Sequence, residues 1–84
     1  MILEERIIVN KSLDLKETVK FTKLMKSLLP NIALASSIKM INAADLNGVL
    51  SLKLEAGKMI RVRIEHTNKK QVNKALAIVK KYLE

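Results

Sequence analysis

The chain has 84 residues, 49% hydrophobic and 29% charged, which implies one globular domain over residues 1–84 and excludes a disordered polymer. It contains no cysteine, so disulfide frameworks, thiolate metal sites and cysteine nucleophiles drop out together, in keeping with a reducing compartment. Lys and Arg number 16 against 8 Asp and Glu, and the resulting net charge of +8 points to an anionic partner: nucleic acid, an acidic protein face or an anionic membrane surface. The opening Met1-Ile2-Leu3-Glu4-Glu5-Arg6 lacks the basic start and apolar run of a signal peptide. No stretch approaches the ~20 apolar residues of a membrane span. A cytoplasmic chain without a membrane partner is therefore expected.

In chain order, Leu3–Asn10 holds the β-branched run Ile7-Ile8-Val9 and predicts a strand. Asp14 precedes Glu17 by three residues, the spacing of a capping box, and Phe21, Leu24, Met25 and Leu28 follow at helical intervals until Pro30. This predicts a helix over Leu15–Leu29. Ile32–Leu34 and Ile38–Ile41 read as two short strands about a Ser36-Ser37 turn. Asp45 then caps a brief helix within Leu46–Leu52, although Gly48 costs it ~1 kcal/mol relative to alanine. After the Ala56-Gly57-Lys58 turn, Met59–His66 alternates Ile60, Val62 and Ile64 with Arg61, Arg63 and Glu65, a strand with one buried and one wet face. Asn68 and Gln71 repeat the capping spacing, and Val72, Leu76, Val79 and Leu83 form the apolar stripe of a terminal helix. The order β-α-β-β-α-β-α with one open sheet face defines an α+β open-faced sandwich, an antiparallel four-stranded sheet covered on one side by three helices.

This order, and several local runs, resemble the HPr (histidine-containing phosphocarrier) family of the sugar phosphotransferase system. The stretch Ile41-Asn42-Ala43-Ala44-Asp45-Leu46-Asn47-Gly48-Val49-Leu50-Ser51-Leu52 is similar to the family's V-N-A-K-S-I-L-G-V-M-S-L around its regulatory serine. Lys20-Phe21 falls where the first helix of the family carries K-F, and the resemblance runs almost the whole chain. It implies the HPr-like sandwich and a bacterial, phosphotransferase-related protein. It also exposes two departures. The family's phosphorylated histidine lies in G-[LI]-H-A-R-P-A, whereas the corresponding run here is Ser12-Leu13-Asp14-Leu15-Lys16-Glu17-Thr18. Asp14 stands for the histidine, Lys16 for the arginine and Glu17 for the proline. With two carboxylates in that corner, an arriving phosphate would meet like charge instead of free N–H donors. An aspartyl phosphate at Asp14 competes with a plain helix cap, and the capping spacing favours the cap. Asp45 stands for the regulatory serine, either as a partial mimic of phosphoserine at a helix start or simply as another cap.

Lys16, Lys20 and Lys23 recur at i, i+4 and i+7, with Lys26 beside them, forming a cationic stripe on the first helix. It is either a solvated face or an electrostatic guide for an acidic protein surface. The family presents this helix and the short second helix to partners, so the resemblance marks Lys16, Lys20, Lys23, Leu46, Asn47 and Leu50. Arg61 and Arg63 share the outer face of their strand; by the resemblance Arg6 lies beside them. These three side chains are a candidate anion-binding trio, opposed by the reading that Glu4 and Glu65 neutralise them as cross-strand pairs, which is preferred. On the last helix, Lys80 and Lys81 complement the helix dipole. His66 reads as a surface or turn residue with no second metal ligand at a recognisable spacing, and Gly48 and Gly57 form no phosphate loop. The sequence therefore predicts no metal, no cofactor and no catalysis of its own. The leading reading is an adaptor that docks an acidic protein through helices 1 and 2. Nonspecific nucleic-acid binding is the alternative, weakened by the lack of aromatics beyond Phe21 and Tyr82; an atypical phosphocarrier ranks last.

Overall fold

The computed structural model describes residues 1–84. Its elements are β1 (Ile2–Ile8), α1 (Leu15–Ser27), β2 (Asn31–Ala35), β3 (Met40–Asn42), α2 (Leu46–Leu52), β4 (Met59–Glu65) and α3 (Lys69–Leu83). The strands form one antiparallel sheet in the order β1-β4-β2-β3. Alternation along β4 sets the two faces. Ile60, Val62 and Ile64 are buried under the helices, while Met59, Arg61 and Glu65 stand on the open side.

The covered face meets α1 through Phe21 and Met25 and α3 through Val72, Ala75, Val79 and Leu83, all within one core cluster. Their spacing of three and four residues is what makes each helix amphipathic. The Phe21 and Tyr82 rings meet 5.3 Å apart and tilted by 57°, joining α1 to α3. Gly48 lets α2 approach the sheet: a Cβ there would lie 3.1 Å from Ile41 Cβ and 3.0 Å from Asp45 Oδ2.

Several expected boundaries move. β1 runs from Ile2 to Ile8 rather than Leu3–Asn10, because the chain beyond Val9 turns toward the C-terminus, where the Asn10 amide donates to Leu83 O at 2.8 Å. α1 stops at Ser27 rather than Leu29. Leu28 is already extended at φ −87°, ψ 143°, and the residue before Pro30 is sterically kept out of the helical region. The β2–β3 connection is longer than a Ser36-Ser37 turn: Ser36 to Lys39 form the loop, closed by Ser36 N donating to Lys39 O at 2.9 Å, so β3 begins at Met40 and not at Ile38. Without a glycine or asparagine for a two-residue turn, the wider loop is the unstrained solution.

Candidate functional site

Two connections meet where α1 begins. The segment before it is tied to the α2–β4 loop by Leu13 N donating to Leu54 O (2.9 Å) and Ala56 N donating to Ser12 Oγ (3.1 Å). Together they shape an open groove of about 400 Å³ lined by Ser12, Leu13, Asp14, Leu50, Lys53, Leu54 and Glu55. Asp14 is the N-cap of α1, and its Oδ1 accepts from the Glu17 amide at 2.8 Å. One of the amides that an anion would use at a helix start is thus already taken by a carboxylate.

The second carboxylate does something else. The expected capping box is one-sided: Glu17 does not return to Asp14 but turns toward α3, where Tyr82 OH donates to its Oε2 at 3.0 Å. The phenol also lies 3.1 Å from the Glu17 carbonyl oxygen. Burial, the hydrogen bond to Glu17 and the negative charges of Glu17 and Asp14 all disfavour the phenolate, raising the Tyr82 pKa above its ordinary value. The α3 cap is one-sided too: Asn68 Oδ1 accepts from Lys70 N at 2.9 Å, while Asn68 N donates to His66 Nδ1 at 3.0 Å instead of to Gln71. His66 therefore sits in the β4–α3 turn with one ring nitrogen engaged.

Asp45 occupies the N-cap position of α2 but makes no side-chain cap bond, contrary to the plain-cap reading. Asn42 Oδ1 closes that turn instead by accepting from Ala44 N at 2.8 Å. At the other end of α2, Lys53 takes the left-handed conformation (φ 52°, ψ 69°) and Lys58 Nζ donates to the Leu52 carbonyl, placing a cation at the helix C-terminus.

α1 and α2, which carry the residues marked for partner binding, pack side by side. Lys16, Lys20, Lys23 and Asn47 are exposed, Leu50 is 37% exposed and Leu46 is half-buried. Sequence reasoning passed over Leu15, which is 61% exposed beside Asp14, and Lys53 and Glu55 on the groove wall. Helical phase gave little warning for Leu15, because it lies near the phase of buried Thr18 and Thr22.

The three arginines divide. Arg63 faces Glu4 across the β1–β4 pair, Nε to Oε1 3.8 Å, as the ion-pair reading expects. Arg6 and Arg61 are direct register partners with no carboxylate within ion-pairing distance, and Glu65 sits opposite Ile2 and Asn31. The preferred neutralised trio therefore reduces to one pair. The arginines do not converge on a single point, and Arg6 and Arg61 flank a shallow groove of about 430 Å³ that also includes Ala35, Ser36 and Ser37. No group of three or more acidic or histidine side chains gathers as a metal site, and no helix is long and apolar enough to cross a membrane.

A four-stranded antiparallel sheet with three helices on one face, and a groove at the start of the first, defines the HPr-like open-faced sandwich. No protein-family model and no curated protein sequence matches the chain. Solved structures do. The phosphocarrier protein HPr of Bacillus anthracis str. Ames superposes with a TM-score of 0.88 at 21% identity, covering 99% of this chain and 98% of that one. HPr-C-His of Thermoanaerobacter tengcongensis gives 0.71 at 18% identity over 96% and 91% of the two chains. The histidine-containing phosphocarrier protein of Mycoplasma gives 0.75 at 15% identity over 96% and 97%. The chain has the HPr fold; at these identities the likeness extends to the fold alone.

Proposed function

We propose that the chain is a non-catalytic, HPr-like adaptor that docks an acidic protein through the surface formed by α1 and α2. The observation that carries this reading is the cap at the start of α1: Asp14, at the position matched to the phosphorylated histidine, accepts from the Glu17 amide at 2.8 Å. The second acid of the corner, Glu17, is bonded to Tyr82 and half-buried. Neither arrangement offers a nucleophilic imidazole, and both oppose an incoming phosphoryl group by charge. What remains available is a surface. Leu15 and Leu50 supply exposed apolar contact, and Lys16, Lys20 and Lys23 supply steering charge. The test is retention of proteins from lysate on the wild type and on a Lys16→Glu/Lys20→Glu/Lys23→Glu variant. Loss of the retained acidic protein in the variant supports the reading; an identical retained set sinks it.

The unpaired Arg6–Arg61 neighbours support a second reading, nonspecific binding to nucleic-acid phosphates on the open sheet face. Retention on duplex DNA that falls steeply as salt rises would favour it. Absence of retention at ~50 mM salt removes it, because phosphate contacts are strongest there.

A further inference from the structure

β1 is an edge strand, and its pairing with β4 fixes which of its backbone groups are free. Val9 N donates to Lys58 O (2.9 Å), Gly57 N to Val9 O (2.7 Å) and His66 N to Met1 O (3.1 Å). Odd-numbered residues therefore turn their amides toward β4, and Ile2, Glu4, Arg6 and Ile8 turn N–H and C=O away from the sheet. The side chains of these four residues also stand on the open face, with Ile2 52% and Ile8 56% exposed. An edge of this length with free polar backbone groups is a template for another strand.

The geometry points to a second copy of this chain as that partner, with the two β1 strands pairing antiparallel about a twofold axis at Glu5. An antiparallel ladder exchanges bonds only between residues whose amides both point into the gap. A twofold at Glu5 meets that condition, placing Ile2 opposite Ile8 and Glu4 opposite Arg6 of the second copy, with Leu3 facing Ile7 on the covered side. Every one of these pairs is apolar with apolar or acid with base. The nearest other registers that satisfy the amide condition place Arg6 opposite Arg6 or Glu4 opposite Glu4, so charge selects the register. Arg6, which faces Arg61 within its own sheet, gains an acid in this way. On the axis the two Glu5 side chains face each other, but each already has Lys80 Nζ at 3.2 Å from its Oε2, so the local charges alternate.

The joined sheet has up to about eight backbone bonds across the axis and a contact smaller than the ~1,200 Å² of standard interfaces, so the association is concentration-dependent. With +8 on each copy it also works against net repulsion. This interface goes beyond the adaptor reading and is separable from it: α2 packs on β3, at the opposite edge of the sheet, and the lysine surface stays free in the pair.

Sedimentation at physiological ionic strength, over rising protein concentration, tests the pairing. The wild type is expected to move from the monomer mass toward twice that mass. Glu4→Arg alone and Arg6→Glu alone put like charges face to face and are expected to remain monomeric, with circular-dichroism melts confirming the fold. Mixing the two variants restores complementary partners and is expected to regenerate dimers. A wild type that stays monomeric throughout, dimers that persist in both variants, or a mixture without rescue each overturns the proposal. Amide exchange on the wild type gives a readout independent of the variants. Protection at Ile2, Glu4, Arg6 and Ile8 should increase with concentration, and exchange there that ignores concentration overturns it equally.

Discussion

Tyr82 reaches across from α3 to α1 and donates to the Glu17 carboxylate at 3.0 Å, so Glu17 serves as an anchor between two helices. Lys11 adds to the same junction, its Nζ 5.8 Å from the centre of the Tyr82 ring. Glu17 is thus committed to Tyr82, and Asp14 alone caps the helix.

Tyr82→Phe keeps the ring packing against Phe21 and removes the hydrogen bond. A loss of about 1 kcal/mol at neutral pH is expected in urea unfolding, because half-buried Glu17 can turn to water. The raised Tyr82 pKa sets the pH window. The protonated phenol stabilises the fold throughout the range below its unfolded value near 10, and that contribution is lost as the pH rises through the higher folded value. The gap between wild type and Tyr82→Phe should therefore stay constant to about pH 10 and narrow above it. A gap that instead widens with alkali contradicts the assigned bond.

The two helix-start aspartates, Asp14 and Asp45, should behave differently. Asp14→Ala removes a made cap bond and is expected to lower stability by about 1 kcal/mol. Asp45→Ala removes none and should stay within about 0.5 kcal/mol of wild type. Equal losses in chemical denaturation would show that Asp45 caps α2 in solution.

Gly48→Ala pits helix propensity against space. Alanine favours the helix by ~1 kcal/mol, but its Cβ would meet Ile41 Cβ at 3.1 Å, and forcing α2 off the sheet costs about 1–3 kcal/mol. Net destabilisation of about 1 kcal/mol is expected from thermal melts. A rise in melting temperature would mean the α2–β3 contact yields easily.

Lys53 holds a left-handed backbone at the end of α2, at a position where glycine is usual. Lys53→Gly relieves that strain at the expense of a more flexible unfolded chain, and a gain of up to about 1 kcal/mol is expected by the same melts. A clear loss would assign Lys53 a packing role.

The fold was legible because its elements declare themselves in periodicity. β4 alternates without a break, α3 repeats its apolar residues at three and four, and Asp14 and Asn68 mark the helix starts they in fact cap. Ends were less legible, since Leu28 and Ile38 continue an apolar pattern that backbone sterics and loop closure cut short. The site was legible only in outline. Residue types located Asp14 and the lysine stripe, but the destination of a flexible acid such as Glu17 depends on Tyr82, 65 residues away in the chain. Likewise, alternation put Arg61 and Arg63 on one face, but only the cross-strand register shows that Arg63 meets Glu4 while Arg6 meets Arg61.

The adaptor account stands most directly on whether the chain accepts a phosphoryl group. Incubation with phosphoenolpyruvate and the general phosphotransfer enzymes, followed by intact mass analysis under mild conditions, is the measurement. An unchanged mass is predicted, with an authentic HPr phosphorylated in parallel. A gain of one phosphoryl group, mapped to Asp14 or His66, would contradict the account.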